Sequence, residues 1–142
     1  MEALFIFSMD IPEAPTIPNV HYDVNCPLME REQIDMLLMG EDGDPMTSLA
    51  RELFDLFVQE SSAKLEALPE VCAQGDLPKL RNIVHFIAGS AGNLGLARLA
   101  CFYRAIERAI DQKNLTDISE VESPIRQEFA CACEAFRADF NL

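Results

Sequence analysis

His85-Phe86-Ile87-Ala88-Gly89-Ser90-Ala91-Gly92-Asn93-Leu94-Gly95 is the centre of a longer stretch, Lys79 to Lys113, from which the rest of the chain is read. Wound as a helix at about 100° per residue, it sorts into two faces. Leu80, Ile83, Ile87, Ser90, Ala91 and Leu94 fall on one side. His85 falls opposite, with Arg81, Ala88, Gly89, Gly92 and Leu96. The imidazole is therefore expected to point away from the apolar stripe, among residues with almost no side chain. A glycine inside a helix costs about 1 kcal/mol relative to alanine. Gly89 and Gly92 lie where the helix must continue, so packing alone would favour alanine. Glycine there lets another backbone come close, from within the protein or from a partner. A core histidine disagrees with the face on which His85 falls, and an ordinary surface histidine leaves the two glycines unexplained.

The stretch resembles the signature of the histidine-containing phosphotransfer (HPt) domain. That family carries a histidine, a lysine three residues on, then glycine and small residues, then a further glycine. His85, Gly89, Ser90, Ala91 and Gly95 match in register, and Ala88 stands where the family has lysine. Glu41-Asp42-Gly43-Asp44-Pro45 and Leu53-Phe54-Asp55-Leu56-Phe57-Val58, with Leu65 and Leu68, resemble the family's lead-in and preceding helix. The likeness runs from Glu30 to Phe140. It implies a four-helix bundle with a short helix packed at one end. It also implies a phosphocarrier rather than an enzyme with its own turnover. His85 would exchange a phosphoryl group with an aspartate on the receiver domain of a response regulator or hybrid histidine kinase. The receiver would bring the magnesium, so no intrinsic cofactor is expected.

A neutral imidazole keeps a lone pair on one ring nitrogen and attacks phosphorus without a separate base. His85 is the expected acceptor. Gly89 and Gly92 would give access, Ser90 would pack or bond locally, and Gly95 would close the helix in a tight bend. Alanine at position 88 removes the cation that the family offers to the phosphoryl group. Arg81, one turn before His85 on the same face, could replace that charge, because its planar guanidinium suits phosphate oxygens. Glu107 and Asp111 would work against a bound phosphoryl if they lay nearby. The missing lysine keeps a second reading open: a binding module that docks a receiver or kinase without efficient transfer.

Composition bounds the alternatives. The chain has 142 residues, nearly half of them hydrophobic, which fits one domain with an ordinary core. The formal charge of −13 argues against nucleic acid as a partner. Within Lys79 to Lys113, Lys79, Arg81, Arg98, Arg104, Arg108 and Lys113 outnumber Glu107 and Asp111, so the His85 region is expected to attract acidic groups. The five cysteines, at 26, 72, 101, 131 and 133, have no disulfide-framework spacing. They read as small apolar residues of a reducing, cytoplasmic protein. A metal site is not expected, because Cys131 and Cys133 diverge on a helix and His85 lacks an inward Glu-x-x-His partner. No window approaches the roughly 20 apolar residues of a membrane span. Met1 to Met9 carries Glu2 and no basic residue, unlike a secretory signal.

The remaining elements follow in order. Residues 1–28 read as a proline-rich arm, packed on the body or disordered, in which Ala3 to Phe7 could form a short strand; residues 29–142 read as the helical body. Glu30 to Leu38 reads as a short helix, Gly40 to Asp44 as a turn, and Asp44 with Pro45 as the start of the next helix. That helix should run to Ala73 with Leu49, Leu53, Leu56, Phe57 and Leu65 inward, and Pro69 kinking it or closing it early. Asp76 and Pro78 open the His85 helix. Leu96 to Lys113 should bury Leu99, Phe102, Tyr103, Ile106 and Ile110. Ser123-Pro124 signals the last helix, whose stripe is Ile125, Phe129, Ala132, Phe136 and Phe140. With no period-two alternation, the expected class is all-α: an antiparallel four-helix bundle with a short additional N-terminal helix and an extended arm. A monomer is expected, with the arm as the one route to a dimer left open.

Overall fold

Proline and glycine divide this chain into helices at the places where backbone chemistry demands it. The computed structural model describes residues 12–38 and 45–142. These hold helices α1 (Arg31–Leu38), α2 (Pro45–Leu65), α3 (Leu68–Gln74), α4 (Leu77–Asn93), α5 (Ala97–Asp111) and α6 (Glu122–Phe140). The Ala3–Phe7 strand, the Gly40–Asp44 turn and the Asp44 cap fall outside the described residues. Helices α2, α4, α5 and α6 form the four-helix bundle: α4 packs on α2 and α5, and α6 closes the ring against α5 and α2. Helix α1 packs on α2 and α4, and the short α3 bridges α4 and α6.

The boundaries have local causes. Asp76 accepts a hydrogen bond from the Lys79 backbone N–H at 3.2 Å, and Pro78 occupies the first turn of α4, where its missing N–H is not needed. The long helix expected to reach Ala73 closes at Leu65 instead. Pro69 sits in the first turn of a new helix, α3, which ends on Gly75 at φ 65°. The cap expected at Ser123 is displaced as well. With Ser123 as cap the helix would open at Pro124; α6 begins two residues earlier, at Glu122, with Val121 preceding it and no side-chain cap. Val121 and Ile118 are buried there, so apolar anchoring rather than a hydroxyl sets the entry.

The core is layered around α4. Leu80, Ile83, Val84 and Ile87 meet Leu99, Phe102, Tyr103 and Ile106 of α5, all buried. The α2 stripe is rotated from the expected one. Ala50, Phe54, Phe57, Ser61 and Leu65 are buried, Leu49 and Leu53 are half-buried, and Leu56 is 51% exposed. The phenylalanines of α6 explain the rotation. Phe54 stacks on Phe136 at 4.6 Å between centroids, and Phe57 lies 5.6 Å from Phe129. Such pairs contribute about 0.5–1.5 kcal/mol beyond area burial. Leu56, two residues from Phe54, is then turned to the opposite side of the helix.

The described part of the arm packs on the body. Ile17 and Val20 are buried, and the Tyr22 ring sits 5.2 Å from Phe102. The Arg98 side chain, 3% exposed, pairs with Glu128, 1% exposed, through two bonds of 2.9 Å, and donates a third to the Pro12 carbonyl at 2.7 Å. This pair joins α5, α6 and the arm. Arg98→Met should destabilise the protein by about 3–5 kcal/mol in denaturant melts, because Glu128 is left buried and unpaired. Arg98→Met with Glu128→Leu should recover most of that loss. A single substitution costing under about 1 kcal/mol would show that the pair holds nothing together.

Candidate functional site

The turn between α4 and α5 brings the site residues together. Gly95, at φ 77°, reverses the chain within a few residues. Its carbonyl accepts a bond from the Glu30 N–H at 2.7 Å, and a Cβ at position 95 would collide with the Glu30 carbonyl. Glycine is therefore required twice, by the dihedral and by the contact with the segment leading into α1. The reversal lays α5 antiparallel along α4. Arg81 meets Asp111 and His85 meets Glu107, so four residues along one helix correspond to four back along the other.

His85 projects from the middle of α4, with its side chain 67% exposed. Its Nδ1 lies 3.0 Å from both carboxylate oxygens of Glu107. A carboxylate only accepts hydrogen bonds, so the proton of this contact resides on Nδ1. In the neutral ring, Nε2 then holds the lone pair. Glu107 is itself fixed by Arg81, whose Nη2 lies 2.9 Å from Oε2. Arg81 also donates from Nε to Asp111 at 2.6 Å and from Nη2 to the same carboxylate at 3.1 Å. The result is one chain of contacts: Asp111, Arg81, Glu107, His85. Bonding to Arg81 holds the Asp111 carboxyl below its ordinary range, and bonding to Asp111 raises the Arg81 guanidinium.

Several expectations for this face change. Arg81 does lie on the His85 side of α4, but its guanidinium is engaged by two carboxylates. Ala88 does not share the exposed face: it is 2% exposed, in the seam between α4 and α5. The reason is angular, since position 88 falls between buried Val84 and His85 and is covered by the closely packed α5. Leu96 is fully buried, because Gly95 has ended the helix before it. Ser90 is half-buried. Glu107 and Asp111 are at the site, with Glu107 oriented to hold the ring rather than to face its free nitrogen.

The two helical glycines separate. A Cβ at Gly89 would have open space around it. Nothing among the described residues requires glycine there, so that patch of α4 is open to approach. At Gly92 a Cβ would sit 3.1 Å from Nη2 of Arg104, so this glycine seats the guanidinium of α5. The cations expected to converge on His85 are dispersed instead. Arg98 is buried against Glu128, Arg108 reaches the His21 carbonyl at 3.5 Å, and Arg104 lies over Gly92, two turns from the imidazole. Reading α4 alone could not assign Glu107 a role. The signal was its position near the same level as His85 on the far side of the bend, since the pairs His85–Glu107 and Arg81–Asp111 are both symmetric about Leu96, the residue after Gly95.

Comparisons with known proteins bear on the family and the fold. A family model described as the Hpt domain matches residues 52–138, more than half of the chain. A crystal structure of histidine-containing phosphotransfer protein B (HptB) from Pseudomonas aeruginosa PAO1 superposes with a TM-score of 0.64. It shares 23% identity and covers 81% of this chain and 96% of its own, a likeness of fold. A comparison with curated proteins gave no match. No helix among the described residues is long and apolar enough to cross a membrane.

Two tests follow from the ring contact and the open glycine. Nitrogen-detected NMR of the neutral protein should find the His85 proton on Nδ1, and Glu107→Ala should shift the ring toward the other tautomer. A wild-type ring protonated on Nε2 would contradict the assignment. Gly89→Ala should leave the helix content unchanged and raise stability by about 0.5–1 kcal/mol, since the site is helical and has room. A loss of stability would mean that internal packing, not a partner, demands this glycine.

Proposed function

From the premise that the chain belongs to the Hpt domain family, the phosphotransfer modules of two-component phosphorelays, we propose that it is a phosphocarrier accepting and donating a phosphoryl group on His85. The observation that carries this reading is the Nδ1 contact with Glu107 at 3.0 Å on a ring that is two-thirds exposed. It directs the lone pair of Nε2 outward, beside the open surface at Gly89. The donor would be the aspartyl phosphate of a receiver domain. Nε2 attacks phosphorus, the new P–N bond forms, and the acyl P–O bond breaks with its electron pair left on the aspartate carboxylate. The ring becomes more positive as this happens, and Glu107 holds the Nδ1 proton through the change. Transfer onward to a second receiver is the same step in reverse. Magnesium belongs to the receiver side of the encounter.

Within this reading Arg81 is a positioning residue. It acts through Glu107, holding Oε2 so that the carboxylate as a whole faces the imidazole, while Asp111 holds Arg81 in turn. Gly89 gives the receiver clearance. Ala88 has no part at the phosphoryl group, and its burial in the α4–α5 seam leaves that place without a cation.

One observation favours the second reading, an adaptor that docks a receiver or kinase without efficient transfer. Position 88 carries alanine, and Arg81, the nearest cation on that face, is held by Glu107 and Asp111. Incubation with a labelled, phosphorylated receiver domain separates the two. A carrier takes up acid-labile, base-stable label, and His85→Gln takes up none. Glu107→Ala should slow uptake on the order of 10- to 100-fold, the kinetic equivalent of one charge-assisted hydrogen bond. Receivers that bind the wild type without passing label to it would establish the adaptor.

A further inference from the structure

Cys26 of the arm and Cys101 of α5 face each other, Sγ to Sγ at 3.1 Å, although 75 residues separate them in sequence. Both are half-buried and free, and both line a cavity of about 270 Å³ whose wall includes Gly92, Gly95 and Arg104. The phosphoryl chemistry proposed for His85 uses neither thiol. A covalent S–S bond is about 2.05 Å long, so closure requires an approach of about 1 Å. Cys101 is held on a helix, but Cys26 sits in a turn closed by its own N–H to the Asp23 carbonyl at 3.0 Å. That turn can supply the movement without disturbing the bundle.

We propose that Cys26 and Cys101 form a redox modification site, a dithiol that a hydroperoxide converts to a disulfide strapping the arm to α5. One thiol sulfur attacks the peroxide oxygen, giving a sulfenic acid and releasing the alcohol, or water when the oxidant is hydrogen peroxide. The second sulfur then attacks the sulfenic sulfur and water leaves. Two thiols and one hydroperoxide thus become one disulfide, one alcohol and one water, with the sulfurs oxidised by two electrons and the peroxide reduced by two. Burial, together with the contact with Cys101, pushes the Cys26 thiol up to about 12. The Cys26 thiolate is therefore scarce at neutral pH, which slows its attack on a peroxide. Of the other three cysteines, Cys72 and Cys133 are buried, and no bond joins Cys131 to another thiol among the described residues.

The test treats the reduced full-length protein with hydrogen peroxide and counts accessible thiols after denaturation. The expected count falls from five to three. Peptide mapping without reductant should recover one cross-linked species joining Cys26 to Cys101 within a single chain. The melting temperature should rise on the order of 5–10 °C, because the bridge closes a long loop, and should return to its starting value with dithiothreitol. Cys26→Ser and Cys101→Ser should each abolish both effects, while a variant with Cys72, Cys131 and Cys133 changed to serine should retain them. A count that stays at five, a bridge that joins two chains, or oxidation that stops at another cysteine would overturn the proposal. None of these readouts depends on phosphoryl transfer.

Discussion

The turn at Gly95 is the constraint on which the rest of the structure depends. Its positive φ reverses the chain, and its bare Cα admits the Glu30 carbonyl. Those two facts set the register of α5 along α4 and attach the segment leading into α1 to the same corner. Once the register is set, Glu107 has one place to go, beneath His85. A side chain on Gly95 would disturb both contacts together, so the helix-ending device and the site-building device are the same residue.

Electrostatics along this seam then runs in one direction. Asp111 holds Arg81, Arg81 holds Glu107, and Glu107 holds Nδ1 of His85. Each contact is partly or fully solvated and individually weak, as exposed ion pairs are. Their combined effect is positional. The ring is oriented with one nitrogen committed and the other directed outward, on a helix whose own packing is complete without it. A rigid platform with a single uncommitted nucleophile suits a protein that is approached by a partner, because the partner then supplies everything else. The net negative charge of the chain is consistent with that division, since the cations of α4 and α5 are held in pairs or spread along the seam rather than gathered at His85.

Much of this was legible in the sequence. The apolar period gave the bundle helices, Asp76 with Pro78 marked the start of α4, and the two-faced pattern around His85 put the imidazole outside. What was not legible has physical reasons. Ala88 lies close to His85 by angle, but burial there depends on how closely α5 approaches, which one helix cannot report. Leu56 lost its place in the core to Phe54 because the α6 phenylalanines needed a stacking partner, a demand made from more than 70 residues away. Pro69 could have kinked one helix or started another, and only the packing of α3 against α4 and α6 decides between these. The role of Glu107 needed the register. On periodicity alone it is an acid on the helix after His85; in place, it is the acceptor that fixes the ring.

The most direct measurement is phosphorus–nitrogen NMR of the chain after exposure to a phosphorylated receiver domain, with the imidazole nitrogens isotopically labelled. The expected spectrum shows a single phosphohistidine at His85, bonded through Nε2, with the Nδ1 proton still present. Phosphate on Nδ1, on His21, or on no histidine while the receiver remains bound would contradict the account, because the Glu107 contact would then not direct the nucleophile.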